Sequence, residues 1–145
     1  MKARILVVLC VLSLLSIMAP THVYAETKAI AQDEIYIQPF WDNVARMSTG
    51  LLINNSGRAL MSGSVIGNPG TTSITVNAVL QRVNSNGTLT HIASFNNIRA
   101  EGDIWVWERP HYVARGHYYQ LTLTATVVRN GHSEVVSLSR TTRAN

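Results

Sequence analysis

The chain has 145 residues, one cysteine and a formal net charge of +4, from 12 basic and 8 acidic side chains. That length allows one domain with a proper core and is too short for two. A lone cysteine excludes a disulfide framework, and the absence of any basic cluster removes the footprint expected of a nucleic-acid binder.

The N terminus has three zones. Met1-Lys2-Ala3-Arg4 is basic, Ile5 to Met18 is apolar apart from Cys10, Ser13 and Ser16, and Val23-Tyr24-Ala25 ends the segment in the A-x-A manner. This is the pattern of a secretory signal peptide over residues 1–25, with cleavage expected between Ala25 and Glu26. The apolar stretch, about 14 residues, falls short of the ~20 needed to span a bilayer as a helix. Leu9 before Cys10 does not fit a lipoprotein signal, which needs a small residue there. Cleavage would carry off the only cysteine, so the mature chain must be held by packing and sheet hydrogen bonds alone. It would also remove Lys2 and Arg4, leaving ten basic residues against eight acids, a net of 10 − 8 = +2. The expected product is secreted, extracellular or cell-wall associated, bacterial, and free of the membrane once processed.

Residues 26–45 form an N-terminal leader or edge strand: Ile35 and Ile37 alternate, and Phe40 to Arg46 has room for one helical turn. Trp41 is expected to pack this segment onto the domain, residues 46–145. From there apolar and polar residues alternate and turn residues recur at short intervals. The pattern predicts seven strands at roughly 47–54, 58–66, 73–83, 88–96, 103–108, 118–129 and 132–141. Asn54-Asn55-Ser56-Gly57, Gly67-Asn68-Pro69-Gly70 and Asn84-Ser85-Asn86-Gly87 read as turns. Asn130-Gly131 is a strong two-residue hairpin signal. Leu89, Ile92 and Phe95 are three apart, which points to a β-bulge. The fifth strand is expected to stop before Pro110. The fold class is all-β: a single antiparallel immunoglobulin-like sandwich of about seven strands. Val113 to Tyr118 has the spacing of a tyrosine corner, with Tyr118 at the usual offset from Gly116, whereas Tyr119 is in phase with the core.

The stretch from Ile37 to Val65, with Leu51-x-Ile53, Gly57 and Ala59-x-Met61-Ser62-Gly63-x-Val65, resembles small exported immunoglobulin-like β-sandwich proteins of Gram-positive bacteria. That family is of unknown function. Gly116-x-x-Tyr119-x-Leu121 through Val136 fits the same resemblance, which implies fold and export and carries over no active site.

Chemistry is sparse. His91, His111, His117 and His132 lie in no catalytic motif, and none is spaced for a zinc site, so no catalytic residue, metal or cofactor is assigned. Glu101, Asp103 and Glu108 cluster along the chain and are the best acids for a secreted hydrolase, the third hypothesis. The ligand-binding candidates are Trp105, Trp107, His111 and Tyr112. Trp105 and Trp107 share one strand face and Ile104 and Val106 the other. With the aliphatic pair buried, two indoles form an exposed platform for a sugar ring or peptide; with the indoles buried, they are core, as large aromatics tend to be. Thr122, Thr124 and Thr126 read as the polar side of a half-buried sheet. The leading expectation is a secreted non-catalytic binding module for an extracellular glycan or surface protein. The alternative is a structural envelope subunit that assembles through sheet edges. Oligomeric state is left open.

Overall fold

A computed structural model describes residues 41–145; the expected signal peptide, residues 1–25, and most of the expected leader fall outside the described residues. Seven strands follow in chain order: β1 Val44–Ile53, β2 Arg58–Gly67, β3 Thr71–Val83, β4 Leu89–Glu101, β5 Ile104–Tyr112, β6 Tyr118–Arg129 and β7 His132–Arg143. They pair antiparallel in two sheets, one ordered β1-β2-β5 and the other β4-β3-β6-β7. No helix occurs among the described residues.

Period-two patterning builds the core. Tyr119, Leu121, Leu123, Ala125 and Val127 of β6 are buried, as are Ile74, Val76, Ala78 and Leu80 of β3, while the residues between them face outward. From the other sheet, Met47, Leu51, Ala59, Met61 and Val65 meet them. Gly63 sets the sheet separation: a β-carbon there would run into Leu123 Cδ1 and lie 3.2 Å from the Trp105 ring.

Turn chemistry matches the sequence. Asn130 and Gly131 have φ of 49° and 79°, both in the left-handed region that a two-residue type I′ hairpin requires. At 54–57 the Asn54 side-chain oxygen accepts from the Ser56 and Arg58 backbone N–H groups. Gly57 has φ of 80°, and a β-carbon on it would lie 2.5 Å from the Val113 carbonyl oxygen, so this turn presses against the β5–β6 connection.

The expected bulge is present: the β3–β4 register shifts between Leu80 and Gln81, where Ile92 is the extra residue. A second shift falls between Val76 and Ala78, where Asn97 adopts φ of 57° and its N–H donates to the Asn77 side chain. Two expectations need correction. β1 begins at Val44, inside the stretch assigned to the leader. β5 does not stop before Pro110 but runs through it to Tyr112. The reason is hydrogen-bond parity. Gly67 N–H donates to Asp103 O, and Val113 N–H donates to Gly57 O. In an antiparallel ladder this alternation gives the odd residues of β5 to β2 and turns the even ones outward. Pro110 is even, so its missing N–H falls on the free edge, where proline costs the sheet nothing.

Candidate binding site at one end of the sandwich

The sandwich has two ends. The upper one carries the turns 54–57 and 84–88, the 113–117 connection and the last residue of β7; the lower one carries 68–70, 102–103 and 130–131. Trp105 and Trp107 belong to neither. They face the core at 2% and 9% exposure, whereas Ile104 and Val106 stand in solvent at 59% and 74%. The indoles stack at 6.2 Å between centroids, Phe95 tilts onto Trp107 at 5.5 Å, and Trp105 Nε1–H donates to Ile98 O across the gap between sheets. An exposed indole platform is therefore not formed, because burying the larger apolar surface on the core side wins.

His111 lies in phase with the indoles but is half-buried near the upper end, and Tyr112, at 71% exposure, points outward there. The acids are not gathered. Glu101 pairs with Arg99 at 2.7 Å in the four-stranded sheet, an interaction that raises the Arg99 pKa through the hydrogen bond and the charge of Glu101. Glu108 sits opposite Ser62 in the other sheet. Beside it a shallow depression of about 160 Å³ lies over Ser48, Ser62 and Ser64, where Ser48 and Ser64 hydroxyls bond each other at 2.7 Å. Among the described residues, no three His, Cys, Asp or Glu side chains come close enough to hold a metal ion.

What the fold does gather is arginine. The antiparallel strands bring Arg58, Arg82, Arg109, Arg115, Arg140 and Arg143 into the upper half, while Asp42, Glu101, Asp103 and Glu134 fall at the lower end together with Arg46, Arg99 and Arg129. Glu108 is at mid-height. The only ion pair among the described residues is Arg99–Glu101, so none of the six upper arginines is neutralised by a neighbouring carboxylate there.

Two tyrosine–arginine couples bracket the 113–117 connection. Tyr112 is the register partner of Arg58 on the outer face of the three-stranded sheet. Tyr118 is the partner of Arg143 on the outer face of the other, with the guanidinium 5.8 Å from the ring centroid. Arg115 lies between, its Nη1–H donating to Asn55 O at 3.1 Å. The connection is held firmly. The Tyr119 hydroxyl donates to Ala114 O at 2.9 Å, Gly116 N–H donates to Ala144 O, and Ala144 N–H donates to His117 O. Tyr119 makes this bond and is 1% exposed, whereas Tyr118, at the offset expected for a tyrosine corner, is 52% exposed.

Sequence reasoning found Tyr112 and missed the arginines, which are spread over β2, β3, β5, β7 and a loop. The signal that they converge is positional: Arg58, Arg82, Arg115 and Arg143 lie in or next to a turn or strand end on the same side once strands alternate in direction, and Arg109 and Arg140 lie three residues short of the end of their strands. The Thr122, Thr124 and Thr126 row faces outward as expected and is half-buried; Thr122 bonds Ser139 at 2.8 Å and Thr124 bonds Ser137 at 2.9 Å.

No protein-family model matches the chain, and no curated protein matches it significantly.

Proposed function

We propose that the protein is an exported, non-catalytic binding module that holds an acidic glycan at the upper end of its sandwich. The observation that carries this reading is the set of six arginines there, unmatched by any nearby acid among the described residues and interleaved with two exposed tyrosines. Guanidinium groups bind carboxylate, sulfate or phosphate through paired N–H donors, and a tyrosine face stacks on a sugar ring. A connection locked by backbone hydrogen bonds presents these side chains with little ordering cost on binding.

Export follows from the three zones at the N terminus, and an extracellular site is where acidic polymers are met. The fold is taken as immunoglobulin-like, in keeping with the family resemblance above. Its support is the β1-β2-β5 and β4-β3-β6-β7 order together with the Tyr119 hydroxyl bonding back to Ala114 O, as a tyrosine corner does.

The test is affinity electrophoresis through gels containing polygalacturonate, dextran sulfate or neutral dextran. Retardation by the acidic polymers should weaken with salt and fall roughly 10- to 100-fold in an Arg58→Ala, Arg115→Ala, Arg143→Ala triple variant. Equal retardation by neutral dextran, or a triple variant that binds as the parent does, would overturn the reading.

A further inference from the structure

The four outermost strands of the two sheets are not alike. β1 is covered along its flank by β7, with Thr142 Oγ1–H donating to Leu51 O and Asn43 Nδ2–H donating to Val127 O and His132 O. β4 is bent by two register shifts and carries a left-handed Asn97, the features that keep an edge from pairing. β5 has neither protection. Its nine residues pair with β2 without a single shift, and among the described residues no strand pairs with its other side. Its outward face is apolar at Ile104 and Val106. The free edge carries the even-numbered backbone groups: N–H and C=O of Ile104, Val106 and Glu108, then Pro110, which has no N–H.

We propose that β5 pairs with β5 of a second copy of this chain, antiparallel about a two-fold axis at Val106. The register is chosen by chemistry already described. Even residues must face even residues, since those bear the unpaired groups. Centring the axis on Glu108 would oppose two carboxylates and bring Val106 against Pro110, losing a hydrogen bond. Centring it on Val106 pairs Ile104 with the partner's Glu108 and lets Ile104, Val106 and Glu108 exchange their hydrogen bonds, with Pro110 beyond the paired segment. The same register sets Arg109 opposite the partner's Asp103, twice by symmetry; Asp103 continues the β5 ladder through its carbonyl, which accepts from Gly67 N–H. Both residues lie on one side of the three-stranded sheet, being odd-numbered. The opposition of Arg109 to Asp103, made twice along the same edge, commits the occupant to a second copy, because only antiparallel pairing about this axis supplies both at once. Arg109 apart, this inference uses none of the residues of the glycan reading.

Sedimentation equilibrium on the full chain, expressed with its own N terminus in an exporting host, tests it. The parent should show a reversible dimer. Val106→Pro should abolish it while keeping the thermal midpoint of the dilute, monomeric parent, since position 106, like 110, turns its N–H away from β2. Arg109→Asp, which sets an acid against Asp103, should weaken the dimer by about tenfold or more, and adding Asp103→Arg should restore it. A parent that stays monomeric at millimolar concentration overturns the proposal, as does a dimer indifferent to Val106→Pro or an Arg109→Asp loss that the charge swap does not rescue.

Discussion

β5 and β6 read alike and live differently. Both alternate inward and outward residues, Trp105 and Trp107 in one and Leu121 to Val127 in the other, and both send their inward side chains into the same core. β6 runs between β3 and β7, so every backbone N–H and C=O along its middle has a partner strand; β5 has β2 on one side only. Side-chain pattern thus reports which face is buried and is silent about which strand is central. Hydrogen-bond parity, visible only once pairing is known, decides where a strand tolerates proline.

The sharpest way to break this comparison is to put proline in β6. Thr124→Pro should cost about 3 kcal/mol or more and leave little folded protein by circular dichroism, because both flanks of its strand are occupied. Next come equivalent inward positions of the two strands. Trp105→Ala should lose roughly 3–5 kcal/mol and Leu123→Ala roughly 2–5 kcal/mol in urea unfolding, the centre and edge strands costing alike because both side chains are enclosed. Gly63→Ala, which requires the enclosed Leu123 side chain to move, should cost about 1–3 kcal/mol by the same measurement. Tyr119→Phe removes only the hydroxyl donated to Ala114 O and should cost about 1 kcal/mol. Smallest of all, Thr122→Ala on the outer face should change stability by no more than about 0.5 kcal/mol, since water can replace its bond to Ser139.

Much of the fold was legible in the residues. The seven strands, the Asn130-Gly131 hairpin and the bulge near Ile92 followed from period, turn chemistry and a break in period, all of which are local. What local pattern withheld is what depends on neighbours in space. Pro110 looked like a stop because its chain context gives no hint of a free edge. Tyr118 and Tyr119 are adjacent and differ only in parity, and parity favoured the residue that does bond to Ala114 O. Both the indoles and the aliphatic pair of β5 could claim the core from the sequence, with size favouring the indoles, until the opposing sheet, with Phe95 and Ile98, was in place. The candidate site was the least legible part, because Arg58, Arg115 and Arg143 are far apart in the chain and meet only through alternating strand direction.

The excess of positive charge in the upper half has an effect at a distance. It gives the molecule a dipole moment along its strands, so a single copy approaching a negatively charged surface experiences a torque that turns the arginine end forward before contact. Two copies related by the axis at Val106 would cancel that moment and point their arginine ends in opposite directions, turning an oriented particle into a bridging one.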